Sequence, residues 1–493
     1  MAASERNASA ERPILPDGLV AFVKRECPTC ELVAPVLDQL AQATQLQVYS
    51  QDDPAFPKHP RPIDDTDLRM SWHHEIEAVP TLIRVVDGVE VERILGWHRG
   101  EWESLASWSE HGQGEPLGAS LPDQRAGCGS LSVDPNLATG LAVRFGASRL
   151  GARRIELATG EDEFEAMYSR GWSDGLPLVP PTEFRVHAML EGTTRAPDDI
   201  VAIVPPALVP CSVEKVAINA VMAGCKPEYL PVVLTAVEAA CTDEFNMHGL
   251  LATTMSVGPV VIVNGPIRKR LGMNSGRNAL GQGHRANASI GRALQLVIRN
   301  VGGGRPGEID RATLGNPGKL GFCIAEDEEG TSWTSLAEDL GSDARTDCLT
   351  LFPGEGPRTL VDQLSRSPES LTRSFAACLR AMYHPKLALA FDAIVVVSPE
   401  HMRVFEEAGW TKALFIERLH QLCMLDGDEV VRGAGGIEEG LPDGVRGNSL
   451  PKFKPGGLLV IHCGGGAGLF SAIIPGWAGG LTGSQPVTRE ILQ

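Results

Sequence analysis

Positive charge is what this chain is short of. Its 44 Lys and Arg stand against 62 Asp and Glu, a formal charge of −18 over 493 residues. No Lys/Arg stripe with interleaved aromatics interrupts that balance, which argues against nucleic acid or an anionic membrane surface as a partner. A long apolar span is also missing. Residues 455–488 carry no Asp, Glu, Lys or Arg, but many glycines and Pro475 break the run, so it reads as buried backbone. The polar start of the chain, Met1 to Pro16, holds both signs of charge and lacks the pattern of a signal peptide. The 11 cysteines are odd in number and follow no repeating frame, which fits a reducing cytoplasm rather than a disulfide scaffold. Neither Walker A nor the dinucleotide fingerprint occurs, so no cofactor is expected. The larger part of the chain has no short Cys-x-x-Cys or His-x-x-x-His spacing, so no metal is expected. Repeats at solenoid periods are absent.

What is present starts with Cys27-Pro28-Thr29-Cys30, directly after the apolar run 19–23. On a strand-to-helix turn Cys27 stands at or just before the helix start. Unpaired N–H groups there stabilise a thiolate. Cys30, one turn further in, is more shielded and suited to resolve a mixed disulfide at Cys27. Downstream, Val79-Pro80-Thr81 leads into a strand, Asp87-Gly88 is a tight hairpin turn, and residues 89–94 alternate like a returning strand. Val-Pro-Thr before a strand, about fifty residues after the dithiol, resembles the thioredoxin-like family over roughly residues 14–108. The resemblance implies a cis Pro80 against the dithiol, a loop backbone able to pair with an extended thiol substrate, and thiol–disulfide redox chemistry. The chain departs from thioredoxins proper in one respect. They keep a buried Asp in the strand before the dithiol, where this stretch is all apolar, and Pro28-Thr29 is nearer the glutaredoxin type.

The expected organisation is a disordered stretch 1–13, a thioredoxin-like domain 14–110, a linker 111–154 and a large domain 155–493. The acidic, Pro-rich stretch 51–68 is expected to form a solvated lip over the dithiol through Asp52, Asp53, Asp64, Asp65 and Asp67. His73 and His74 read as ordinary surface. Residues 111–135 are rich in Gly, Pro and Ser without a period, the composition of a linker. Within them Cys128, flanked by Gly127 and Gly129, is an accessible thiol, either a bystander or a shuttle between the dithiol and another site. Beyond residue 155, strands alternate with helices. The fold class is therefore α/β: a thioredoxin-like domain followed by a larger α/β or α+β domain with a mixed sheet.

Several groups in the large domain are candidates for chemistry. Asn274, Arg277, His284, Arg285 and Asn287 lie in a Gly-rich stretch before an apolar helix, where close backbone approach and directional donors suit a small anionic substrate. Arg305 beside the Gly302–Gly304 turn and Lys319 continue that surface. Gly465 belongs to a glycine loop after a strand, the usual place for a ligand in α/β sheets. Cys211, at a helix start, and Cys323, one turn from Glu326 if helical, are the candidate nucleophiles. Gly-Trp-Ser-Asp-Gly-Leu-Pro at 171–177, Asn-Ala-Val-Met-Ala-Gly-Cys at 219–225 and Gly-Asn-Pro-Gly-Lys at 315–319 are similar to large, uncharacterised bacterial proteins, a resemblance that carries no chemistry.

The leading reading is a redox enzyme in which the dithiol supplies reducing equivalents, or relays sulfur, to a larger domain acting through a cysteine. Its substrate is small and anionic or thiol-containing, and a thiol reductant or partner redox protein completes the cycle. Hydrolase or lyase chemistry with a thiol-protecting domain, and a non-catalytic binding protein, stand as alternatives.

Overall fold

A computed structural model describes residues 12–111, 115–145, 150–389, 391–431, 444–477 and 483–492. The expected disorder of residues 1–13 falls almost wholly outside them. The chain divides into two compact units, one up to residue 149 and the other from residue 150. The first unit therefore runs well past residue 110, and the stretch expected to be a linker belongs largely to it.

In the first unit, β1 (Gly18–Val23) is followed by α1 (Pro28–Ala43), β2 (Leu46–Ser50), β3 (Ile63–Asp64) and α2 (Arg69–His73). Next come β4 (Ala78–Val79), β5 (Thr81–Val86), β6 (Val89–Leu95), β7 (Trp97–His98), α3 (Arg99–Leu105) and a short helix Trp108–His111, then β8 (Gln124–Arg125), β9 (Cys128–Gly129), a 3-10 turn Leu131–Val133 and the helix Pro135–Phe145. The main sheet has the order β3-β2-β1-β5-β6, with β2 parallel and β5 antiparallel to β1. Asp87 (φ 52°) and Gly88 (φ 74°) close the β5–β6 hairpin in left-handed conformations that favour glycine. α1 buries Cys30, Val33, Val36, Leu37 and Leu40, one helical face, against β1, whose residues 20–23 are fully buried. Each such aliphatic side chain contributes about 1.5–3 kcal/mol relative to exposure.

The second unit has four layers, and the strand sequences dictate them. One sheet has the order Cys323–Ala325, Gly258–Asn264, Cys348–Gly354, Val487–Glu490; the other has Arg358–Val361, Phe470–Pro475, Phe391–Val397, Phe453–His462. Both mix parallel and antiparallel pairs. Central strands are apolar on both faces, as doubly covered strands must be. Val261 and Val263 face helices Val213–Ala223, Leu230–Ala240 and Arg285–Asn300, while Val260 and Ile262 meet Ile394 and Val396 of the other sheet. Ala393, Val395 and Val397 face the helices that carry Phe375, Phe405 and Phe415. The chain is thus α/β with mixed sheets. Among the described residues no helix is long and apolar enough to cross a membrane.

Candidate functional site

α1 starts at the dithiol for local reasons. Cys27 is extended (φ −134°, ψ 111°), its sulfur accepts the Cys30 N–H at 3.3 Å, and Pro28 follows where a helix has no use for the N–H. The turn before it is held by Asp52, whose carboxylate accepts the N–H groups of Arg25 (2.7 Å) and Glu26 (2.9 Å). The acidic stretch is therefore partly structural. Asp65, expected in solvent, is 1% exposed; it accepts the N–H groups of Met70 (2.8 Å) and Ser71 (3.0 Å) and the Ser71 hydroxyl (2.6 Å). Burial pushes its carboxyl up, against those bonds. His74 is likewise buried rather than at the surface, with Nε2 2.8 Å from the Pro13 carbonyl and Nδ1 beside the Arg12 guanidinium.

Both sulfurs of the dithiol are covered, Cys27 at 1% and Cys30 at 0% exposure. The pair differs in proton affinity, not in access. Cys27 is held down to about 5, first by its hydrogen bond with Cys30; burial opposes this, while the Cys128 side chain and the N–H groups of Cys30 and Thr29 add to it. Cys30 is driven far above the ordinary thiol range by burial and by Cys27. Pro80 follows a cis peptide bond, and the carbonyl of Val79 before it lies 3.3 Å from the Cys27 sulfur.

The cover over Cys27 is the stretch expected to be a linker. β9 pairs antiparallel with β4, placing Cys128 opposite Val79 and Gly129 opposite Ala78. Thr29 Oγ1 donates to the Ala126 carbonyl and Lys24 Nζ to that of Gly129, both at 2.7 Å. Gln51, 1% exposed, anchors the far end: its amide donates to Ser71 Oγ (2.8 Å) and Ser130 Oγ (2.7 Å) and accepts the Leu131 N–H (3.0 Å). Glycine is required where the backbones touch, since a Cβ on Gly127 would sit 2.9 Å from the Val79 oxygen. Linker-like composition and close-packed backbone look alike in sequence.

In the second unit the expected anion cluster is mostly occupied with its own loop. Arg285 donates to the carbonyls of Gly224 (2.8 Å) and Cys225 (3.4 Å). Asn287 is buried and exchanges bonds with the backbone N–H and carbonyl of Asn274, whose own amide donates to the Arg277 carbonyl at 2.8 Å. The structure does bring Arg277 to Gly465: a Cβ there would meet Arg277 Cγ at 2.8 Å, and Gly464 N–H donates to the Ser275 carbonyl. His284 precedes the helix Arg285–Asn300 but its side chain makes no capping bond. Lys319 is paired internally with Asp310 at 2.7 Å. Arg285→Ala should accordingly lower the melting temperature by a few degrees, about 1 kcal/mol, and leave turnover intact. A selective loss of turnover at unchanged stability would restore Arg285 to a ligand site.

Neither expected nucleophile of this unit is poised. Cys211 is 0% exposed on a strand and pushed up to about 11 by burial. Cys323 opens a strand, not a helix, and burial drives its thiol higher still. Glu326 therefore does not sit one helical turn away as a base. It is buried, accepting the Asn264 amide (2.7 Å) and the Leu336 N–H (2.8 Å), with its carboxyl raised by burial. Beside it, Arg268, 3% exposed, donates to the carbonyls of Gly265 and Glu326 and pairs with Glu328 at 2.8 Å. This buried network at the carboxyl ends of two parallel strands went unforeseen; the acidic run 326–329 was its only trace. A cleft of about 770 Å³ lined by Trp172, Arg170, Lys215, Ile218 and Asn300 was equally unforeseen. Arg305 and Arg299 interact, and the Nε of each is buried with no partner among the described residues.

A stretch of 90 residues near the N-terminus, 18% of the chain, is 33% identical to the thioredoxin of Mycobacterium bovis and to those of two strains of Mycobacterium tuberculosis. The chain spans 65% of the length of those curated relatives, just short of two thirds. No family model matches the chain, and no solved structure matches it. The N-terminal segment is thioredoxin-like.

Proposed function

We propose that the protein is a thiol–disulfide oxidoreductase in which Cys27 attacks, Cys30 resolves, and the larger unit holds a small anionic or thiol-containing substrate. The observation that carries this reading is the split within one dithiol, Cys27 held down to about 5 and Cys30 pushed far up. The Cys27 thiolate attacks a disulfide sulfur and releases one thiol. Cys30 then displaces the second, its proton leaving with that product, and the Cys27–Cys30 disulfide remains. A thiol reductant or a partner redox protein returns it to the dithiol. The Nε atoms of Arg299 and Arg305, without a partner among the described residues, support an anionic substrate. The carbonyl bonds of Arg285 and the burial of Cys211 and Cys323 leave those residues outside the assignment.

The pH dependence of alkylation tests the assignment. Iodoacetamide should label Cys27 with a rate that follows a titration near pH 5, as its thiolate is already formed above that value. Cys30 should stay unlabelled at neutral pH. An inflection above pH 8, or faster labelling of Cys30, overturns the roles given to the two thiols.

A further inference from the structure

Three thiols meet at this site. Cys128 stands opposite Val79, whose carbonyl lies 3.3 Å from the Cys27 sulfur, and it is the half-buried member of a group whose other two are covered. The way it arrives matters. Cys128 and Gly129 pair antiparallel with β4, the short edge that ends in the Val79 carbonyl beside Cys27, and this puts Cys128 directly opposite Val79. Thr29 of the dithiol motif itself holds the Ala126 carbonyl, and Lys24 holds that of Gly129. An extended peptide delivering a sulfur to Cys27 would need these same contacts: a backbone ladder, carbonyl anchors on both sides, and small residues where the chains touch. Gly127, beside the cysteine, takes that last role, since a Cβ there would sit 2.9 Å from the Val79 oxygen.

We propose that Cys128 is a third redox-active cysteine and that residues 126–129 form a substrate strand built into the chain. This rests on the redox reading of Cys27 and Cys30. Cys128 attacks an external disulfide RSSR: the S–S bond breaks, a bond to the Cys128 sulfur forms, and RSH leaves with the Cys128 proton. The Cys27 thiolate then attacks the Cys128 sulfur, forming Cys27–Cys128 and expelling the second RS⁻. Cys30 attacks Cys27, returning Cys128 as a thiol and leaving Cys27–Cys30 oxidised. Two thiols of the protein are oxidised and one disulfide is reduced to two thiols, so the electrons balance. The external disulfide meets the reachable sulfur, and the sealed pair does the reduction.

Tryptic mapping under non-reducing conditions reads the key intermediate. Cleavage after Arg25 and Lys58 leaves Cys27 and Cys30 on one peptide, and cleavage after Arg125 and Arg144 leaves Cys128 on another. In full-length Cys30→Ser treated with oxidised glutathione, the main oxidised species should be peptide 26–58 joined to peptide 126–144. Glutathione on Cys27 with Cys128 still free would overturn the role of Cys128 and leave the redox reading standing. No modification of Cys27 in the variant, and no Cys27–Cys30 disulfide in wild type, would sink both. Cys128→Ser gives a second reading through a mild change at a half-buried position. Turnover with oxidised glutathione should fall at least about tenfold while wild type and variant melt together; unchanged turnover would refute the proposal.

Discussion

Cys27→Ser should abolish disulfide reduction, lowering the rate by about a thousandfold or more, because a serine hydroxyl supplies no thiolate at neutral pH. Cys30→Ser should behave differently: the first attack survives, and the disulfide between Cys27 and Cys128 accumulates instead of turning over. The magnitudes show what the low pKa of Cys27 achieves. At pH 7 it raises the thiolate fraction about thirtyfold over an ordinary thiol, but intrinsic nucleophilicity falls by a similar factor. Attack itself gains little. The gain lies in departure, since a weakly basic sulfur is expelled quickly when another thiolate displaces it. Stopped-flow turnover of a low-mass disulfide checks the first variant, and non-reducing peptide mapping of the trapped disulfide checks the second. Cys27→Ser with more than a tenth of wild-type turnover would move the chemistry to another thiol.

The second large effect concerns stability of the other unit. Arg268→Met should cost about 3–5 kcal/mol, as expected when one partner of a buried ion pair is removed and the other is left. Glu328 would keep its bonds from the Asn264 amide (3.0 Å) and the Gly265 N–H (2.7 Å) but lose the guanidinium at 2.8 Å. The nearby Glu326 carbonyl would lose its donor as well. Adding Glu328→Gln should recover about 1 kcal/mol or more, because the stranded charge is then gone. Denaturant unfolding of the single and double variants decides it. Equal destabilisation in both would show that Arg268 acts through packing rather than charge.

How far the residues alone foretold this molecule depended on the kind of signal. Cys-Pro-Thr-Cys after an apolar strand, the Asp87-Gly88 turn and the alternation of β6 are local patterns with local causes, and each formed where expected. In the second unit, the helix start expected at Cys211 falls two residues on, at Val213, with Ser212 as its cap. The cover over Cys27 was not legible. β9 has two residues, too few to alternate, and its pairing with β4 joins positions about fifty apart. Arg285 and Asn287 have the donors of an anion site, and only three-dimensional packing shows that backbone carbonyls use them. Asp65 and His74 look like surface residues until the groups that bury them are in place.

The pairing of β9 with β4 has a bearing on affinity. An outside strand that sought the Val79 edge would compete with a segment already tethered there, so its apparent Kd would equal the intrinsic one divided by the fraction of molecules with the edge free. With that fraction at about one per cent, a micromolar binder would act as one of about 100 micromolar. Such a gate favours low-mass disulfides, which need only the Cys128 sulfur, over proteins, which need the edge. A valine at Gly127, driven against the Val79 oxygen, would open the gate and bring protein partners within reach.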